Sequence, residues 1–490
     1  MENTIENEIE ENQGKKQEKE TKILDFSKKA FFGVVIVLLA LMVMTIILTF
    51  VIPKGDFKTT IVDGEVITDY SVYIESDEKG GVAIWKGLLA PILVLGSSDG
   101  IGLIMLCIFL MVIAGAFQLM SDCGGMSSIV NRLIKKFKDK KFALVAIIVA
   151  IFMLFGSFFG LFEEMLTLLP LIIMLALSLG YDSYTGFLMC IVATGFGFAS
   201  ALTNPFTVLT ACNIIGTSLM YHIYYRVIIL LVMYGLLLLF IFIHIKRIEK
   251  DPKKSPTYES DLKKERNLDF SEFKYDEKKL FVTYLIFLLI VLTSILVITS
   301  IESLRSLTVV FLIAIFLIGG LVAGLVSTKD PKFVFKSFLK GFISAAPAIV
   351  IILLASSIKY ILVEGHVLAT ITNSINLFIE GRHPILVIIA VYILVLVLEF
   401  FITSSTAKAV FVMGLLATIT TTISPNLLVL AYIFGDGYTN VLFPTSPVLL
   451  ISLSMTGMSY FSWIKKSKFL ILGLIGLILG FLILGLYIGY

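Results

Sequence analysis

After residue 30 the polar and apolar positions stop alternating as they would in a soluble helix or strand. Apolar residues run on for about 20 positions at a time, and polar ones gather in the short segments between. A helix rising 1.5 Å per residue needs about 20 such residues to cross the roughly 30 Å hydrocarbon core of a bilayer. The runs predict crossings at 30–52, 100–120, 186–220, 226–244, 280–299, 307–326, 341–361, 427–457 and 469–489. Two further apolar stretches, 142–179 and 385–424, carry carboxylates and hydroxyls near their middles.

Charge decides how these segments are threaded. Lys28-Lys29 and the Lys/Arg-rich segments 132–141, 246–279, 329–340 and 465–468 are expected on the cytoplasmic side. Segment 54–86 holds seven acidic residues against four lysines, and 300–306 and 363–384 carry one arginine each, so these are expected outside. Nine crossings then put the N-terminus in the cytoplasm and the C-terminus outside. Stretches 142–179 and 385–424 must each begin and end on one side, as a re-entrant helical hairpin or as two tight full spans; the tip sequences favour hairpins. With 58% hydrophobic and 15% charged residues over 490 positions, a soluble fold is excluded. The polar segment 1–29, with Glu6, Glu8, Glu10, Lys15, Lys16 and Lys19, reads as a disordered cytoplasmic tail, and the run after it is too long for a cleaved signal peptide. Cys107, Cys123, Cys190 and Cys212 lie far apart and suggest neither a disulfide framework nor a metal site. The expected partners are the lipid bilayer and a small-molecule solute, with no nucleic acid.

Laid on itself with a shift of about 240 residues, the chain brings Gly124 onto Gly365, Phe159 onto Phe400, and Gly195-Phe196-Gly197-Phe198 onto Gly435-Asp436-Gly437-Tyr438. Pro205 meets Pro444 one residue out of step. The predicted fold is therefore an all-α polytopic membrane protein of two inverted repeats, each with a re-entrant hairpin and a broken transmembrane helix. Residues 30–244 hold the first span and repeat 1 (hairpin 142–179, broken helix 186–220). Residues 245–279 form a flexible cytoplasmic linker, and 280–490 hold repeat 2 (hairpin 385–424, broken helix 427–457).

The first tip, Gly156 to Glu164, places Glu163 and Glu164 deep in an apolar segment, where a charge marks function unless it merely caps the returning half-helix. The second tip reads Glu399-Phe400-Phe401-Ile402-Thr403-Ser404-Ser405-Thr406-Ala407-Lys408; its hydroxyls suit a carboxylate or a dehydrated ion, or else fill hydrogen bonds in a tight turn. Each hairpin is followed by a Gly/Pro-rich stretch expected to interrupt a helix and free its carbonyls, 195–207 and 435–447. Glu163, Glu164, Asn204, Thr403, Ser404, Ser405, Thr406, Asp436, Asn440 and Thr445 are the candidate substrate-binding residues. Ser200, Thr203, Asn204, Thr439 and Asn440 are candidate ligands for a coupling Na⁺, with H⁺ as the other coupling ion, and no other cofactor is expected. Helix-kinking prolines with an interhelical Asn are the structural alternative. Lys359 and Lys408 also fall in apolar segments and are expected to pair with Glu399, Asp436 or Glu364.

The phrases Gly160-Leu161-Phe162-Glu163-Glu164, Leu202-Thr203-Asn204-Pro205-Phe206-Thr207-Val208 and Phe434-Gly435-Asp436-Gly437-Tyr438-Thr439-Asn440 through Pro444-Thr445-Ser446 resemble the YfcC-type branch of the C4-dicarboxylate anaerobic carrier-like family, over roughly residues 30–490. The resemblance implies the ion transporter superfamily, a homodimer in a bacterial cytoplasmic membrane, and a hairpin-bearing domain that moves like an elevator against a scaffold. Related members carry Ser-Asn-Thr at both tips, whereas these tips read Phe162-Glu163-Glu164 and Ser404-Ser405-Thr406, which weakens a carried-over Na⁺ site at the first.

The family name implies succinate or fumarate. The charges near the proposed site, Glu163, Glu164, Glu399 and Asp436 against Lys408 with no arginine, favour a cationic or zwitterionic solute instead. Members resembling this branch are linked to arginine–ornithine exchange, so a basic or zwitterionic amino acid or a small peptide is the expected cargo, with a C4-dicarboxylate as the alternative. An intramembrane aspartyl protease built on Asp182 and Asp436 is the remote rival. The chain lacks a His-Glu-x-x-His helix, a Gly-x-Ser-x-Gly elbow and a phosphate-binding loop, and an enzyme is not expected.

Overall fold

The computed structural model describes residues 28–62, 65–78, 80–97, 100–137, 140–265, 274–305, 307–379, 381–401, 409, 412–413, 416 and 423–490. Eight described helices are long and apolar enough to cross a membrane. Large side chains such as Phe32, Ile36, Leu231, Leu239, Ile318 and Leu472 lie exposed along them, an outward apolar surface that only lipid satisfies. The chain is thus a polytopic helical membrane protein.

The first long helix, α1 (Lys28–Val51), leads into a two-stranded antiparallel ribbon, β1 (Gly55–Val62) and β2 (Glu65–Glu75). A short helix, α2 (Ile84–Leu93), precedes α3 (Gly100–Asp122), the amphipathic α4 (Gly125–Phe137) and α5 (Lys141–Leu154). Next come α6 (Leu169–Ser178), α7 (Ser183–Ala199), α8 (Pro205–Ile215) and α9 (Ile223–Lys250). After α10 (Tyr258–Glu265) follow α11 (Glu277–Ser300), α12 (Thr308–Thr328), α13 (Pro331–Ser344) and α14 (Ala346–Glu364). The chain continues through α15 (Leu368–Ile379), α16 (Pro384–Phe401), α17 (Pro425–Thr439), α18 (Pro447–Thr456) and α19 (Tyr460–Ile488).

Segment 54–86, expected as a loop, is a folded cap. The Gly55 amide donates to His366 O at 2.9 Å, His366 Nδ1 meets Asp56 Oδ2 at 2.8 Å, and the Tyr73 and Thr370 hydroxyls lie 2.9 Å apart. The ribbon is thereby tied to the turn after α14. The helix α2, ten residues long, is too short to span and so leaves no crossing-length signal in the sequence.

The expected breaks are present, but the glycines do not make them. Helix α7 ends at Ala199 and α17 at Thr439, with irregular backbone over 200–204 and 440–446. Gly195, Gly197, Gly435 and Gly437 all lie inside helices. They are needed for close approach. A Cβ on Gly197 would sit 2.0 Å from Met153 O on α5, and one on Gly437 would sit 2.1 Å from Ala199 N. Gly195 and Gly435 bring Val441 and Val395 equally close, 2.4 Å and 2.3 Å from the same hypothetical atom. Each broken helix therefore uses one glycine to meet a preceding helix, α5 or α16, and one to meet the other broken helix. Helix ends are made instead by Ser200 to Asn204 before Pro205, and by Asn440 to Ser446 before Pro447, each proline opening a new helix where its missing N–H costs nothing.

Segment 245–279 is folded over its described first half. Pro252–Lys254 forms a turn and α10 follows it, docked beneath the start of α7. Asp261 accepts from the Ser183 amide at 2.9 Å, the Ser183 hydroxyl at 2.5 Å and the Thr257 hydroxyl at 2.5 Å. Asp182 caps α7 through Thr185 N at 2.8 Å and is held by His244 Nε2 at 2.9 Å and the Ser255 hydroxyl at 2.7 Å. The Ser260 hydroxyl donates to Thr456 O at 2.8 Å, so one segment joins the start of α7 to the end of α18.

Candidate functional site

The first hairpin folds back at a single residue. α5 runs into one wide helical turn, Phe155–Phe159, and Gly160 then adopts φ +68°, a left-handed conformation that favours glycine. A Cβ there would also lie 2.3 Å from Asn204 Oδ1. The chain resumes as a tight turn, Glu163–Thr167, and returns through α6. The Lys141 ammonium donates to Leu179 O at 2.7 Å, closing the two ends of the hairpin on each other.

The break 200–204 is bound to this tip. Ser157 O accepts from the amides of Leu202, Thr203 and Asn204 at 3.0, 3.2 and 3.1 Å, and the Ser157 hydroxyl donates to Ser200 O at 2.8 Å. The Thr203 hydroxyl donates to Phe158 O at 3.1 Å, and Asn204 Nδ2 donates to Gly156 O at 3.3 Å. The second break is held from α19. Trp463 Nε1 donates to Val441 O at 2.9 Å and the Tyr460 hydroxyl to Leu442 O at 3.0 Å. Two carbonyls that a helix break frees are thus satisfied by aromatic donors that the sequence reading did not single out.

Between the tip and the second break lies a cavity of about 720 Å³, within the range of small-ligand sites. Glu163, Glu164 and Glu399 line it, with Lys359, Ser356 and Tyr360 of α14 and Thr439, Asn440, Thr445 and Ser446 of the second break. Glu163 is exposed to it; Glu164 is half-buried, and its carboxylate accepts from the Phe162 amide at 3.2 Å, so it also caps the return arm.

The structure thus gathers Glu163, Glu164, Asn440 and Thr445 of the candidate substrate residues. Asn204 is fully buried behind the tip, and Asp436 is fully buried inside α17; neither is on the cavity wall. Thr403, Ser404, Ser405, Thr406 and Lys408 lie outside the described residues. Of the candidate Na⁺ ligands, Ser200, Thr203 and Asn204 spend their side-chain donors on backbone carbonyls, and the Thr439 hydroxyl donates to Gly435 O at 2.6 Å. Asn440 Nδ2 donates to Asp436 O at 2.8 Å. Among the described residues no group of three or more His, Cys, Asp or Glu side chains could hold a metal ion. Glu364 pairs with Lys86 at 3.5 Å, whereas Lys359, on the inner face of the same helix, faces the cavity. Asp182 and Asp436 are not brought together. Asp182 opens α7, and Asp436 sits beside the residue that meets Ala199 at its far end, about 25 Å away at 1.5 Å per residue.

The family model described as "DcuC: C4-dicarboxylate anaerobic carrier" matches residues 32–488. The "Putative basic amino acid antiporter YfcC" of Escherichia coli (strain K12) is 29% identical over 408 residues, covering 80% of this chain and 78% of that protein. An uncharacterized protein of Haemophilus influenzae is 23% identical over 367 residues, covering 73% and 70%. Two solved structures are similar at 15% identity. The Alcanivorax borkumensis YdaH transporter gives a TM-score of 0.42 over 93% of this chain and 98% of that one, and Neisseria gonorrhoeae MtrF gives 0.40 over 91% and 94%.

Proposed function

This chain belongs to the C4-dicarboxylate anaerobic carrier family, and from that premise we propose that its cargo is a basic or zwitterionic amino acid, carried by exchange. It is a membrane transporter, not an enzyme. One observation carries the choice of cargo: the cavity presents Glu163, Glu164 and Glu399 with one lysine and no arginine among its described lining residues. A C4-dicarboxylate would bring two more negative charges into that space. Each like-charged pair about 6–8 Å apart costs roughly 2–3 kcal/mol at an effective dielectric constant of about 20. An ammonium or guanidinium group gains by the same amount. The Escherichia coli relative, named as a putative basic amino acid antiporter, supports this reading.

In this reading the first hairpin and the breaks open the cavity alternately to either side of a bacterial cytoplasmic membrane, as an elevator working in a homodimer, with Na⁺ or H⁺ as the coupling ion wherever transport is not pure exchange. Counterflow tests the cargo. Proteoliposomes loaded with arginine or ornithine receive labelled arginine outside, beside a succinate-loaded set with labelled succinate and a Glu164→Gln variant. Arginine uptake that needs internal amino acid and falls at least tenfold in the variant is expected. Uptake of succinate alone overturns the reading and restores a dicarboxylate cargo.

A further inference from the structure

The cavity wall carries charges of both signs, supplied by different elements. Glu163 and Glu164 stand at the tip of the first hairpin. On α14, the residues Ile352, Ser356, Lys359, Tyr360 and Val363 line the same space, at the spacing of one helix face, so the Lys359 stem and the Ser356 hydroxyl project from that face into it. α14 packs against α1 and α2, apart from the hairpin that carries the two glutamates. Glu399, on the last turn of α16, completes the wall and is itself 4% exposed.

We infer that Lys359, with Ser356 beside it, is the anchor for the α-carboxylate of the transported amino acid, the cationic end lying toward Glu163 and Glu164. This rests on the amino-acid reading above and deepens it. A site with carboxylates alone would take any amine. A lysine on the same wall can also receive a negative group, which an α-amino acid supplies and a plain polyamine does not. Lysine suits the task because its ammonium is a compact charge on a flexible stem and offers three donors to a carboxylate. Ser356, one helical turn earlier on the same face, offers a further hydroxyl donor to the same group.

The discriminating probe is agmatine, which is arginine without the α-carboxylate. Labelled arginine counterflow is inhibited with unlabelled arginine or agmatine in the wild-type protein, in Lys359→Met and in Lys359→Arg. The wild type is expected to need at least tenfold more agmatine than arginine for half-inhibition. Lys359→Met brings that ratio within about threefold, and Lys359→Arg keeps it above fivefold. Because the readout is a ratio within one preparation, expression level does not enter. Should Lys359→Met carry too little label, the same ratio is read from arginine and agmatine binding to the purified protein by thermal shift. A ratio unchanged in Lys359→Met, or agmatine as potent as arginine in the wild type, overturns this inference and leaves the amino-acid reading standing. Wild-type vesicles that take up succinate and neither amine overturn both.

Discussion

Replacing Asp261 by alanine should detach the segment that ties the start of α7 to the end of α18. In the folded chain this carboxylate, 5% exposed, receives the Ser183 amide, the Ser183 hydroxyl and the Thr257 hydroxyl. A hydrogen bond to a charged acceptor contributes about 1.5–3 kcal/mol, and a buried donor left without a partner costs about 1–3 kcal/mol. The three bonds converge on one group and are not additive, so the net loss is about 3–5 kcal/mol. At 1.36 kcal/mol per tenfold, local opening of 251–265 should rise roughly 10²- to 10⁴-fold. Asp261→Asn keeps one acceptor oxygen and should fall between. Hydrogen–deuterium exchange in detergent or nanodiscs reads this directly, through peptides covering 251–265 and 183–187. Exchange unchanged in those peptides would refute the reasoning. Equal loss of protection in the long helices would refute it too, because the segment would then be part of the global fold rather than a latch laid across it.

Two further outcomes follow from single positions. Gly437→Ala must push the backbone at Ala199 aside and should destabilise by about 1–3 kcal/mol, whereas Gly480→Ala, on the exposed face of α19, meets nothing within 4 Å and should leave stability unchanged or raise it by up to about 1 kcal/mol; scanning fluorimetry in detergent separates them, and equal melting temperatures would show that the helix crossing is looser than described. Asp182 titrates at the rim: burial raises its carboxyl, but the hydrogen bond and charge of His244, with the Ser255 and Thr185 hydroxyls, more than offset this and hold it below the usual carboxylate range. A depressed acid stabilises the fold above its unfolded value near 3.9 and loses that contribution as pH falls through the lowered one, so the melting gap between wild type and Asp182→Asn should be present at about pH 5 and close below about pH 4; a gap that widens between these two values contradicts this.

The long helices were legible because apolar length is the one property a bilayer enforces on every crossing. α1, α3, α11 and α12 begin and end within about three residues of the predicted runs, whereas α9 runs six residues past its predicted end and α19 starts nine residues before its predicted beginning. What the apolar count missed were elements whose formation depends on contact with the rest of the molecule. The ribbon Gly55–Glu75 needs the turn at His366, and α2 needs the face of α14. The docked start of the linker was hidden for the same reason: a Pro- and Lys-containing segment reads as solvated chain until Ser183 and Thr456 are known to lie under it. Charge density in a sequence marks which side a loop lies on; it says nothing about whether buried donors await that loop.

The site was legible in proportion to how little its residues were needed for anything else. Ser200, Thr203, Asn204 and Thr439 were singled out because polar groups beside a helix break look like ligands. Yet a break within an apolar molecule frees N–H and C=O groups that must find partners inside the protein, at several kcal/mol each if they fail. Thr203 and Asn204 answer that demand at carbonyls of the tip, Trp463 and Tyr460 reach in from α19 for two carbonyls more, and the Ser200 and Thr439 hydroxyls turn back on their own preceding helical turn. Among the residues that line the cavity are ones not bonded to the backbone in this way: Glu163 at the tip, and Lys359 and Ser356 on an unbroken helix. One apolar helix carrying a single lysine gives no indication of which face is dry, so the sequence alone does not show that Lys359 reaches a cavity. The orientation of α14 places Lys359 on the cavity wall beside Glu163, Glu164 and Glu399, and the inference drawn above gives it the carboxylate end of a zwitterionic cargo.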